Sequence, residues 1–204
     1  LWVGVLAMLL ACVAGVWLGA LQRAGRPWLR ISERLLTQLL RNSPWLVVMF
    51  FVMHLLPYEW HVAGQVISLP AWLKAVFALA LPAAGNASEI VRGALQSIPR
   101  TQWEAATALG YSPVGQLRYV ILPQALRLML PPALGLYCVV TMSSALASLL
   151  GVGELLSASR EILAATARTD LLLPVYGLVL ALFFFYIFPL SLLARSLERR
   201  LAYR

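Results

Sequence analysis

Thr101 and Glu104 are a pair whose types and spacing suggest a shared task. A threonine followed three residues later by a glutamate forms a capping box when its hydroxyl accepts from the glutamate N–H and the carboxylate reaches back to the threonine N–H. The pair therefore predicts a helix beginning at Thr101. Gly110 predicts its end, since glycine takes the left-handed conformation that closes a helix. Ser112 and Pro113 predict the N-cap and first-turn proline of the next helix. A polar helix of about two turns is too short to be stable alone, so the segment reads as one that docks on a partner surface.

Other chemistry-bearing residues are sparse. Glu89 and Arg92, three apart, share a helix face and form either an ordinary intrahelical pair or part of a gate facing a wet interior. Asn86, Ser88, Thr141, Ser143 and Ser144 are polar groups in apolar text, suited to lining a path or to hydrogen bonding between helices. His54 lies in an apolar run and His61 near Glu59, neither with a second histidine at ligand spacing, so both read as core or interface residues and no metal site is expected. Cys12 and Cys138 sit in separate apolar runs without CxxC or Cys/His spacing, which argues against a disulfide framework or a zinc site. No G-x-x-x-x-G-K-[ST] loop occurs, and no nucleophile is paired with a base; neither ATP binding nor catalysis is expected of this chain itself.

The elements that must carry these residues are set by composition. Of 204 residues, 61% are hydrophobic and 12% charged, about half the charge of an ordinary soluble domain. The chain has to be divided into membrane spans of about 20 residues, giving one domain over 1–204 with neither internal repeat nor linker. Leu1 to Leu21 is the first span; it lacks a preceding basic region and reads as retained rather than as a cleaved signal. Trp45 to Leu56 is short, so the second span is extended into the preceding ISERLLTQLL. Val66 to Ala87 forms the third, Tyr119 to Val140 the fourth and Leu171 to Ala194 the fifth, with prolines tolerated where neighbours re-satisfy freed carbonyls. Ala145 to Leu156 is too short to cross and is expected to lie against the bundle or to be partly re-entrant.

Arginine placement orients the spans. Arg23, Arg26, Arg30, Arg34 and Arg41, then Arg92, Arg100, Arg118 and Arg127, then Arg195, Arg199, Arg200 and Arg204 fall on one side of a five-span chain. The other side has Lys74, Arg160 and Arg168, offset by Glu59, Glu154, Glu161 and Asp170. The positive-inside rule then puts the N-terminus outside and the C-terminus and the polar helix in the cytoplasm. The net charge of +8 is a topology signal and needs no nucleic-acid partner.

At Glu104, Ala105, Ala106, Gly110, Ile121, Leu122 and Pro123 the chain resembles the EAA loop of permease subunits of ABC importers. EIVRGALQSIPRTQWEAATALG, ILPQALRLMLPP, Arg41 with Pro44, and GVGELL from Gly151 to Leu156 resemble the polar amino acid uptake branch, and the resemblance covers essentially the whole chain. It implies an all-α membrane protein of the type I importer kind, with about five transmembrane helices and a cytoplasmic coupling helix in the EAA loop. Thr101, Glu104, Ala105, Ala106, Gly110, Leu122 and Pro123 would serve coupling to an ATPase, and Asn86, Glu89, Arg92, Ser143 and Ser144 a gate or substrate path. The implied partners are ATP-binding subunits that hold ATP and Mg, a second permease, identical or homologous, and an extracytoplasmic substrate-binding protein, all at a bacterial inner membrane. Relatives usually have further residues ahead of Leu1, so a missing natural N-terminus is expected. Many relatives also carry a lysine-aspartate pair just before the serines, where this chain has Met142 and Ser143, which removes two charges from any substrate contact there. Two other classes compete. A secondary transporter or channel would show repeat symmetry or several intramembrane acids, and a membrane enzyme a nucleophile-base or metal constellation; the sequence shows neither.

Overall fold

The computed structural model describes residues 2–21, 27–62 and 65–202. The expectations resting on Leu1, Arg23, Arg26 and Arg204 lie outside the described residues. Helices dominate, as they must where no water is at hand to bond backbone groups. The order is α1 (Trp2–Leu21), α2 (Pro27–Asn42), α3 (Trp45–Leu55), a hairpin of β1 (Glu59–Val62) and β2 (Gln65–Ser68), α4 (Ala71–Ser97), α5 (Arg100–Ala108), α6 (Pro113–Gly115), α7 (Leu122–Ser143), α8 (Leu155–Thr166) and α9 (Leu172–Ala202). A π turn over Gln116–Ile121 joins α6 to α7, and a 3-10 stretch over Ser144–Leu150 comes after α7.

The bundle is built round α4. Its 27 residues span about 40 Å, and α1, α2, α3 and α7 all pack on it. Small residues allow the approach: a Cβ built on Gly15 would stand 2.5 Å from that of Ala87, and one on Gly19 2.9 Å from the Val91 side chain. Trp2 meets Trp72 with ring centroids 4.8 Å apart, so α1 and α4 run parallel. α3 runs the other way, because Lys74 Nζ donates to the carbonyls of Met53 at 3.3 Å and Leu56 at 2.6 Å, at the finish of α3. The same ammonium lies 3.2 Å over the centre of the Tyr58 ring, so a wholly buried lysine is satisfied by two carbonyls and a π face. Gly4 lies against Thr141 near the end of α7, and α9 returns beside α7, their Tyr137 and Tyr186 hydroxyls 2.6 Å apart. Between these helices Met49, Val52, Met53, Val76, Leu79, Ala83 and Val140 form the core.

Charge is segregated along the bundle. The end of α4 that holds Glu89 shares its side with Arg41, Arg100, Arg118, Arg195, Arg199 and Arg200, set against Glu104 and Glu198, and the Lys74 end with Arg160 and Arg168, set against Glu59, Glu154, Glu161 and Asp170. Among the described residues, three stretches are long and apolar enough to cross a membrane by themselves: Trp2–Gly19, Pro113–Leu150 and Thr169–Leu201. α4 has the length to cross but carries Lys74, which is fully buried, and Asn86, Glu89 and Arg92, which are half-buried.

Two of the expected spans differ in detail. The second is broken: α2 and α3 are separate helices meeting at 105°. Pro44 disfavours helical geometry at Ser43 and lacks the N–H needed to continue the ladder, and itself adopts φ −61°, ψ 123°. The third does not begin at Val66. Val66 lies in β2, paired with His61, and the helix begins only after Pro70, an extended residue preceding the first turn. Pro82, Pro131 and Pro132, by contrast, stay inside their helices. Ser144 to Val152 lies folded against the bundle, with Ala147, Ser148 and Val152 buried.

Candidate functional site

α4 leads into α5 through two residues, Ile98 and Pro99, and this junction overturns the expected capping box. Pro99, at φ −57° and ψ 144°, occupies the N-cap, and its carbonyl accepts from Gln102 N at 3.0 Å. The helix therefore starts at Arg100, one residue ahead of expectation. Thr101 is already inside the first turn, and no side chain caps the helix. The threonine-glutamate spacing was a true start signal overridden by a proline two residues upstream, whose fixed φ already has the extended geometry an N-cap requires.

The other end agrees closely with the sequence. Gly110 has φ +78°. Its N–H reaches the Thr107 carbonyl at 2.9 Å, and Tyr111 N reaches that of Ala106 at 3.1 Å, the paired closure of a Schellman motif. Ser112 caps α6 by accepting from Gly115 N at 3.2 Å, with Pro113 as the first helical residue.

α5 has two faces. Ala106 is buried against its own chain, and Trp103 is half-buried. Thr101, Glu104, Ala105 and Ala108, at helical spacing, form an exposed stripe. Of the residues expected to couple, Ala106 is thus turned inward, while Thr101, Glu104, Ala105 and Gly110 face out. Beside them stand three apolar residues that sequence reasoning passed over: Leu109, 77% exposed, Val114, 74%, and Tyr111. Apolar residues at a polar turn were the signal that could have found them.

Two glutamines, also unanticipated, lash α5 to the π turn and to the start of α7. Gln116 Nε2 donates to Thr107 Oγ1 at 3.1 Å and to the Tyr111 carbonyl at 3.0 Å. Gln124 Nε2 reaches Gln102 Oε1 at 3.4 Å and the Val120 carbonyl at 2.8 Å. Leu122 and Pro123 stand at the start of α7. The missing N–H of Pro123 falls where the wider π turn hands over to α helix, with Leu122 N bonded to the Leu117 carbonyl five residues back. Ile121 is fully buried and pins this handover to the core. α5 is thus joined to α4 through two residues and to α7 through side-chain amides and a seated isoleucine.

The expected gate residues lie on α4 above this junction. Arg92 holds Glu89 through Nε at 3.1 Å and a second, closer contact from its terminal nitrogen, while Arg41 approaches from α2 at 3.8 Å. Arg92 also donates to Gln96 Oε1 at 2.9 Å. The pair is therefore both intrahelical and, through Arg41, a link between helices. Asn86 bends back to the Pro82 carbonyl at 2.9 Å. Ser144 Oγ donates to the Thr141 carbonyl at 2.7 Å, deep in the bundle, and Ser143 is half-buried beside it. An apolar groove of about 830 Å³ between α7 and α9, lined by Met142, Ala145, Tyr176 and Phe184, contains neither serine. The structure gathers Glu89, Arg92 and Arg41, and keeps the two serines apart from them at the other end of the bundle.

Comparison with known proteins now bears on this arrangement. Residues 11–203 match the family described as "Binding-protein-dependent transport system inner membrane component". The chain is 32% identical to a probable glutamine ABC transporter permease protein of Bacillus subtilis, over 98% of this chain and 89% of that protein. It is 31% identical to the glutamine transport system permease protein of Escherichia coli strain K12, over 98% and 89%. Among solved structures, a chain of an amino acid ABC transporter with histidines superimposes with a TM-score of 0.81 at 25% identity, covering 97% of this chain and 88% of that one. An inward-facing methionine ABC transporter gives 0.76 at 20% identity, over 98% and 91%, a likeness of fold.

Proposed function

Because the chain belongs to the family of binding-protein-dependent transport system inner membrane components, we infer that it is the permease subunit of an ATP-driven amino acid importer and that α5 is where it receives force. The observation that carries this reading is the outward stripe of Thr101, Glu104, Ala105 and Ala108 with the exposed Leu109, Tyr111 and Val114 beside it. A short helix with a small-residue face and an apolar margin, at a polar end of a membrane bundle, is built to enter a groove on a soluble partner.

That partner is an ATP-binding subunit holding ATP and Mg; the permease hydrolyses nothing itself. A second permease, identical or homologous, completes the pair, and a binding protein outside delivers a polar amino acid. In this reading the arginine-rich end of the bundle faces the cytoplasm and the N-terminus lies outside, as the positive-inside rule favours. Closure of the ATPases shifts α5, and the seated Ile121 and the Gln116 and Gln124 bonds carry that shift into α7 while Pro99 carries it into α4. The Glu89–Arg92–Arg41 cluster, at the cytoplasmic end of α4, is broken or remade as the bundle exchanges between inward and outward packings, an equilibrium the nucleotide biases. Asn86, Ser143 and Ser144 serve the path by offering hydrogen-bonding groups in otherwise apolar helices.

The test is co-purification of the ATPase together with uptake of labelled amino acids in vesicles. Gly110→Val and Glu104→Lys should each reach the membrane at near-normal levels and lose uptake through weakened association or weakened stimulation of the ATPase. Normal co-purification and normal uptake in both would leave the α5 segment a mere connecting turn.

A further inference from the structure

α2 has three faces where an ordinary amphipathic helix has two. Glu33, Thr37 and Leu40 turn toward α4, where Thr37 Oγ1 donates to Glu33 Oε1 at 2.6 Å and stands 3.3 Å from Ser88 Oγ. The contact is close because α4 has Gly85 there: a Cβ would lie 3.1 Å from Arg41 N and from the Thr37 carbonyl. With 3.6 residues per turn, Arg30, Arg34 and Arg41 fall within an arc of about 40° on one adjoining edge. Ile31, Leu35, Trp28, Leu39 and Leu36 occupy an arc centred about 150° from those arginines. The apolar arc is open: Trp28 is 58% exposed, Ile31 59%, Leu35 68% and Leu39 66%.

Orientation gives these faces meaning. α3 runs back along α4, and α2 turns 105° away from α3, so α2 lies across the spans and meets α4 between Gly85 and Glu89, on the half of that helix that leads to the arginine-rich end. A helix in that attitude has one edge toward the water and the opposite one toward the hydrocarbon. Its arginines and leucines are divided in that sense, and its tryptophan stands at the first turn, a residue suited to the boundary layer. A face covered by a second protein copy would call for no such division against the membrane axis.

We propose that α2 is an interfacial helix, bedding Trp28, Ile31, Leu35 and Leu39 in the acyl-chain boundary and setting Arg30 and Arg34 against anionic lipid headgroups. Its buried Glu33–Thr37–Ser88 contacts hold it to α4, so that the lipid surface and the helix leading to α5 are mechanically joined. The choice of leaflet rests on the orientation proposed above; the lipid contact does not.

The test uses the permease assembled with its ATPase in liposomes. Leu35→Cys, in a chain with Cys12→Ala and Cys138→Ala, is labelled with bimane and exposed to lipids bearing a nitroxide near the top of the acyl chain. Strong quenching is expected, with an apparent affinity for nitroxide phosphatidylglycerol about thirtyfold above that for nitroxide phosphatidylcholine, as two arginines near an anionic surface would give. Arg30→Gln with Arg34→Gln should abolish that preference and leave quenching by phosphatidylcholine in place. A label at Arg200→Cys, on the exposed charged end of α9, should answer to aqueous iodide instead. Quenching of residue 35 by iodide, or a disulfide between two copies through Leu35→Cys with no lipid quenching, overturns the proposal. Ascorbate, which reduces only the nitroxides of the outer leaflet, reads the leaflet separately, so a failure of orientation is distinguishable from a failure of lipid contact.

Discussion

Thr101 and Gly110 are nine residues apart on the same segment and signal its two boundaries equally in the sequence, yet the structure gives them different weights. Gly110 holds φ +78° with open space where a Cβ would be, so its constraint is conformational and not steric. Gly110→Val should cost about 1–3 kcal/mol of local stability, the strain of a β-branched residue in the left-handed region. Thr101 lies inside the first turn and caps nothing. Thr101→Ala should therefore change stability by no more than about 0.5 kcal/mol, where loss of a true N-cap would cost about 1 kcal/mol. A thermal-shift comparison of the two variants in detergent separates these values; equal losses would restore threonine to the cap. Gln116→Ala is expected to keep the fold and lower uptake, because it frees Thr107 and the Tyr111 carbonyl from their tie to the π turn.

Elements are legible where one local signal dominates, and obscure where two compete. The apolar runs of α1 and α9 have no rival reading, and each appears within a residue or two of expectation at its start. α2 and α3 read as one span because their combined length suits a crossing; Pro44 acts through the backbone of one neighbour, a weaker signal in the text than twenty apolar letters. The β1–β2 hairpin is hidden for a related reason: Val66 begins an apolar stretch that continues into α4, with only Pro70 to mark the change. The gate cluster is half visible, since Glu89 and Arg92 are neighbours by spacing, whereas Arg41 joins them only once α2 lies across α4. The glutamine ties require knowing that α5 folds back on α7. Packing of α1 on α4 offers a test at this scale. Gly15→Ala should cost about 1–3 kcal/mol through overpacking and lower the yield of folded permease. Gly135→Ala, with nothing within 4 Å, should be close to silent in the same size-exclusion assay.

Across the whole molecule, the excess of arginine at one end, with only Arg160 and Arg168 among the described arginines at the other, makes an explicit statement about sidedness. Single cysteines at Arg100 and Glu161 should react oppositely with an impermeant thiol reagent in intact cells: Glu161→Cys labelled, Arg100→Cys protected. Labelling of Arg100→Cys from outside would invert the bundle and remove α5 from the reach of any cytoplasmic ATPase. The purified chain is likewise expected to show no ATP hydrolysis until an ATP-binding subunit is added, measured as phosphate release before and after reconstitution. Turnover by the chain alone would contradict its reading as a pure conduit.

The approach of α1 to α4 also limits how this sequence is free to drift. At Gly19 the obstacle to a methyl group is the side chain of Val91, so two genetic changes made together, Gly19→Ala and Val91→Ala, exchange volume across the seam and replace a 2.9 Å clash with the γ-methyl by a 3.2 Å approach to the Cβ that the helices absorb by a small shift. At Gly15 the obstacles include the backbone of Ala87 and Ser88, at 3.0 and 2.9 Å, which no substitution can shrink. A saturating library selected for uptake should therefore return residues 19 and 91 as a covarying pair, and residue 15 as glycine whatever stands at 87. One seam between two helices thus holds both a negotiable position and a fixed one, and the difference is whether the opposing atoms are encoded or common to every residue.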